Sequence, residues 1–172
     1  MGSEICIIDR SCTSFAAPPT TDVPFTSAEA AYVFPRDEHG EVMPFEVRLN
    51  DASLVDAAII EAGRSDRKAL IVMGANWCHD SRALATHFQK PHFRTLLESA
   101  YVVEYVDVGE KNKNQKIAQR FGLKGTPGTP TVLIVDGTGR ALNREEAPTW
   151  RNAASRSEQD VFDYFANYAV QE

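Results

Sequence analysis

The sequence predicts an α/β protein with a mixed central sheet covered by helices on both faces. Two observations carry that reading. ALIVMG (69–74) and YVVEYVDV (101–108) are continuous apolar runs, short enough for strands buried on both sides. TVLIVDGTGRAL (131–142) reads as two more strands around the turn Asp136-Gly137-Thr138-Gly139, a hairpin. Helical patterns alternate with these runs, an order typical of layered α/β folds.

The ordered part begins near Asn50. Leu54, Val55, Ala58, Ile59 and Ala62 share one face at helical spacing. Asn50 or Asp51 can cap the start of this helix, and Gly63 is expected to end it. After the loop RSDRK and the first strand, a second helix is expected from Cys78 to Lys90, with Leu84 and Phe88 inward. Pro91 restarts the helical pattern at a first-turn position, and Phe93, Leu96 and Leu97 form its stripe. KNQKIAQRFG is a short helix closed by Gly122. The last helix, SEQDVFDYFANYAV, opens at Ser157 with Asp160 three positions on, and buries Val161, Phe165 and Tyr168.

The first 49 residues are set apart as an irregular N-terminal extension, leaving 50–172 as the folded domain. Residues 11–30 are rich in Ser, Thr, Ala and Pro without any period. The stretch 31–49 is broken by Pro35, Gly40 and Pro44, which suggests an edge strand or hairpin outside the core.

Composition narrows the functions. With 172 residues, 43% of them hydrophobic, the chain can bury a core without disulfide staples. Its net charge of −6 argues against nucleic acid as a partner. No apolar stretch approaches the roughly 20 residues of a membrane span. MGSEICIIDR, interrupted by Glu4, Asp9 and Arg10, has no signal-peptide core as written. The compartment expected is the bacterial periplasm if a signal has been removed, and otherwise the cytoplasm.

Three cysteines leave at least one thiol without a partner inside the chain. Cys6 and Cys12 are either a pair or bystanders. Cys78 ends a strand and begins a helix in GANWCHDSRAL. A helix N-terminus favours a thiolate through its dipole and free N–H groups. His79, when protonated, would add to this, Asp80 would oppose it if near, and Ser81 can donate a hydrogen bond. No Cys/His cluster has zinc spacing, so no metal is expected. His87 and His92 read as surface or core residues, and Trp150 and Arg151 as loop packing with a binding role as the alternative.

The succession strand, WCHDS, helix, YVDV, FGLKG, TPTVLIVDGTG and terminal helix resembles the thioredoxin superfamily from about Asn50 onward. The resemblance implies a cis-proline facing the active cysteine. Pro130 is the candidate, with Thr129 before it, because assigning Pro127 would put Pro130 inside a strand. It further implies Cys78 as nucleophile, tuned by Ser81 and His79, and a substrate groove of Trp77, Thr129 and Pro130. Dithiol members carry a second thiol where this chain has Ser81, and a buried acid where it has Val72. The activity implied is therefore that of a monothiol thiol–disulfide oxidoreductase. Its substrates would be disulfide-containing proteins or small thiols, with no bound cofactor and with glutathione as a candidate co-substrate. Two alternatives remain open: a non-catalytic peptide-binding or chaperone-like module, and a glutathione-dependent thiol enzyme.

Overall fold

The run at 69–74 becomes the middle strand of a three-stranded sheet, flanked on both edges as its uninterrupted apolarity requires. The structure, a computed structural model, describes residues 34–170; Cys6, Cys12 and the Ser/Pro-rich lead-in lie outside the described residues. Its elements are α1 (Asp51–Arg64), β1 (Lys68–Gly74), α2 (His79–Phe88), α3 (Pro91–Ala100), β2 (Tyr101–Asp107), α4 (Gln115–Arg120), β3 (Thr131–Val135), a 3₁₀ segment (Ala147–Ser155) and α5 (Glu158–Val170). β1 pairs in parallel with β2 and antiparallel with β3. Parallel neighbours need a long crossover, which α2 and α3 supply.

Alternation along β1 divides the core in two. Leu70 and Val72 face a cluster with Leu84, Phe88, Phe93 and Phe165. Ala69, Ile71 and Met73 face Val55, Ile59 and Ile117 on the other side. Each fully buried Leu, Ile or Phe contributes about 1.5–3 kcal/mol relative to exposure. The helices thus clamp β1 from both faces, and its C-terminal end delivers the turn that carries Cys78.

Three expectations about the elements are corrected. Gly63 does not end α1, which runs one residue further; it gives room for Gly137, since a Cβ on Gly137 would lie 2.5 Å from the Gly63 Cα. The hairpin's second arm forms no strand, only a single bridge from Val135 to Ala141. In its place the Asn143 side chain acts as a surrogate peptide: Ile134 N donates to Oδ1 at 2.8 Å and Nδ2 donates to Val132 O at 2.8 Å. The stretch before α1 is not outside the core either. Arg36 and Val42 form one bridge, and Val42 and Phe45 are buried in the cluster around Val72.

Other local signals act as the sequence reading expects. Gly122 takes a positive φ of 82° after α4, where its N–H bonds back to Gln119 O. Ser157 Oγ accepts from Asp160 N at 3.1 Å and so caps α5. Pro91 occupies the first turn of α3.

Candidate functional site

Cys78 sits at the N-cap of α2 in an extended conformation, φ −85° and ψ 118°. Its N–H closes a turn on Ala75 O at 3.1 Å, and its carbonyl accepts from Arg82 N at 3.1 Å. The helix therefore starts directly behind the thiol. Only 7% of Cys78 is exposed. Among the described residues it is a free cysteine.

Facing it is the loop that leads into β3. The Thr129–Pro130 peptide is cis. Thr129 touches the sulfur twice: its carbonyl accepts from Sγ at 3.2 Å, and its Oγ1 donates to Sγ at 3.2 Å. The two contacts act in opposite senses on charge. The hydroxyl dipole stabilises a thiolate, whereas the carbonyl favours the protonated thiol. Thr129 itself is buried.

The other residues singled out by sequence divide into those at the sulfur's rim and those turned elsewhere. Trp77 is 49% exposed and donates its indole N–H to Gly109 O at 3.0 Å, which ties it to the loop after β2. His79 is exposed on the first turn of α2. Ser81 is fully buried and its Oγ has no hydrogen-bond partner. The hydroxyl lies against Gly74, where an added Cβ would come within 2.6 Å of it. Thr129, rather than Ser81, supplies the hydroxyl bonded to Sγ. Asp80 accepts the N–H of Ala154 at 2.9 Å, so its carboxylate is tied to the 3₁₀ segment. Val72 is buried at the place expected for a proton-assisting acid.

Sequence reasoning missed what holds the turn. Asn76 Oδ1 accepts from Phe45 N at 3.0 Å, and Asn76 Nδ2 donates to Phe45 O at 2.8 Å. A side-chain amide thus pairs with the segment before α1 as a strand would, and it delivers the Phe45 ring to Gly74. No local period marks such a pairing; the one trace is a polar Asn immediately before WC. Also unread was the wall made by residues 147–155, which meet α2 through Asp80 and the cis-proline loop through Gly128.

A cysteine at a helix N-terminus, opposite a cis-proline loop and next in sequence to a half-exposed tryptophan, can act chemically as a nucleophile. Comparison with known proteins identifies the family. The crystal structure of a disulphide isomerase from Xylella fastidiosa Temecula1 is similar, with a TM-score of 0.65 and 28% identity, over 79% of this chain and 97% of that one. The solution structure of a thioredoxin from Thermus thermophilus shares the fold, with a TM-score of 0.51 and 23% identity over 67% of this chain and 83% of that one. No protein of curated description matches the chain significantly. A family model described as thioredoxin-like matches residues 52–137, which hold the Cys78 turn and β1 to β3, half of the chain. By that match and by its sheet order, the chain belongs to the thioredoxin-like family.

Proposed function

We propose that this protein is a monothiol thiol–disulfide oxidoreductase of the reductase or isomerase type, working through a mixed disulfide on Cys78. The observation that carries this reading is the placement of Cys78 Sγ at the N-terminus of α2, 3.2 Å from the donating hydroxyl of Thr129. The likeness to a disulphide isomerase supports the same class of chemistry.

In the first step the Cys78 thiolate attacks one sulfur of a substrate disulfide. A new S–S bond forms as the old one breaks, and the departing sulfur leaves as a thiolate that takes a proton from water. Ser81 cannot attack the mixed disulfide, so release falls to another thiol. If a further cysteine of the substrate, other than the one just released, attacks the substrate sulfur bound to Cys78, a new substrate disulfide forms, Cys78 leaves as a thiolate, and the substrate is rearranged with no net oxidation. If two external thiols of the glutathione class act in turn, they become a disulfide and the substrate is reduced. Trp77, Thr129 and Pro130 line the place where an extended peptide would lie.

Non-reducing mass spectrometry tests the reading on protein with Cys6 and Cys12 replaced by Ser. Exposure to oxidised glutathione or a disulfide peptide should leave one adduct, absent in Cys78→Ser and cleared by reduced glutathione. If no adduct forms while unfolded peptides still bind, the protein is a binding module and the proposal falls.

A further inference from the structure

The 3₁₀ segment Ala147–Ser155 brings one arginine against the loop that faces Cys78. A Cβ built on Gly128 would lie 3.0 Å from Arg151 Cβ and 3.2 Å from Arg151 Cδ, so the arginine stem lies along this glycine. Gly128 directly precedes Thr129, whose carbonyl and hydroxyl both contact Cys78 Sγ. The segment is fixed at a second point, since Asp80 near the start of α2 accepts Ala154 N–H. The arginine stem is thereby packed against the residue that precedes the Thr129 contacts to the sulfur.

Arg151 is also uncommitted. Arg48, Arg82, Arg120 and Arg140 each stand in an ion pair. Arg151 is exposed and has no hydrogen bond or ion pair among the described residues. Asp80, the carboxylate tied to the same segment, already holds the Ala154 N–H. An unpaired fork of N–H donors on a stem packed against this loop suits a carboxylate, which it can bind through two parallel hydrogen bonds.

We infer that Arg151 determines specificity at this site by taking a carboxylate placed beside the sulfur that reacts with Cys78. The preferred substrates are disulfides with an acidic group next to the bridge. The inference rests on the exchange reading above for its substrate, and the test separates the two.

With Cys6 and Cys12 replaced by Ser, Cys78 is alkylated in parallel by iodoacetate and iodoacetamide, which differ by one carboxylate. Any influence of Arg151 on the thiolate itself cancels in the ratio of the two rates. That ratio should fall about threefold in Arg151→Ala and about tenfold in Arg151→Glu, and be only partly kept in Arg151→Lys, which keeps the charge but not the fork. Mixed-disulfide formation is then compared for oxidised glutathione, a peptide disulfide flanked by Glu, and 2-hydroxyethyl disulfide. Selective loss with both acidic disulfides supports the shared chemistry; loss with only one assigns the carboxylate to that source. An unchanged ratio, or equal slowing of every reagent, overturns the inference. If the ratio falls but no disulfide forms an adduct, carboxylate selectivity at Cys78 stands and the exchange reading fails.

Discussion

Asn76 and Phe45 are joined by two hydrogen bonds, from Phe45 N to Asn76 Oδ1 and from Asn76 Nδ2 to Phe45 O, at 3.0 and 2.8 Å. The pair stitches the Cys78 turn to a segment more than thirty residues earlier in the chain. It also seats the Phe45 ring where Gly74 has no side chain: a Cβ there would stand 2.5 Å from Phe45 Cζ. Asn76→Ala should cost about 1–3 kcal/mol, because two part-buried hydrogen bonds are lost and both Phe45 backbone groups lose their partner. Gly74→Ala should cost at least as much through overpacking, and Phe45→Leu in the same chain should recover part of the loss. Urea unfolding measures all three. Additive losses in the double variant would show that Gly74 and Phe45 do not share the space.

Ser81 yields the opposite sign. Its hydroxyl is fully enclosed and has no hydrogen-bond partner, a situation that costs free energy relative to an apolar group of the same shape. Ser81→Ala should therefore be neutral or stabilise by up to about 1 kcal/mol. The Cys78 alkylation rate at pH 7 should stay near wild type, since Thr129 supplies the hydroxyl bonded to the sulfur. A clear drop in that rate would return Ser81 to the role of tuning the thiolate.

The strands and helices were legible because each is announced by neighbours in sequence. ALIVMG, the stripe ending at Phe88, Pro91 and Ser157 all act within a few residues of themselves. Cys78 and its facing Thr129-Pro130 were legible too, through the order of motifs. The parts that escaped are side chains standing in for backbone across long separations. Asn143 completes the edge of β3 in place of a second hairpin strand. Asn76 pairs with Phe45, and Asp80 holds Ala154. Gly63 was misread because a glycine near a helix end suggests a cap, whereas here it admits another glycine from across the fold.

Arg48 links three acceptors around β2. It bonds Glu104 at 2.6 Å, approaches Asp51 at 3.2 Å and donates to Tyr105 O. Burial raises the Glu104 pKa above its ordinary value of 4.5, and the nearby Arg48 charge opposes that rise without cancelling it. Removing the cation leaves two carboxylates poorly solvated. A fully buried pair broken this way costs about 3–5 kcal/mol, and the 27% exposure of the Arg48 side chain reduces the expectation for Arg48→Met to about 2–3 kcal/mol at pH 7. The sign with pH follows from linkage. A carboxyl with a raised folded pKa binds protons more readily when folded, so its stabilising contribution is present below about 4.5 and is lost as pH rises through the folded value. Without Arg48 that folded value rises further. The deficit of Arg48→Met should therefore be smallest near pH 4 and widen toward pH 7 in urea titrations; a deficit independent of pH would assign it to lost packing alone.

Thr129 offers the sharpest test of how Cys78 is activated. Its hydroxyl donates to Sγ while its carbonyl accepts from the thiol, both at 3.2 Å. Thr129→Val keeps the branched shape and the carbonyl but removes the donor, leaving the contact that favours the protonated thiol. A hydrogen bond to a charged group contributes about 1.5–3 kcal/mol, and replacement by water at the mouth of the site would offset part of that. The iodoacetamide rate at pH 7 should then fall about threefold to tenfold. Thr129→Ser, which restores the donor, should recover most of the neutral-pH rate. If Thr129→Ser stays as slow as Thr129→Val, the donated hydrogen bond is not what Thr129 contributes, and the residue acts by shaping access to Cys78.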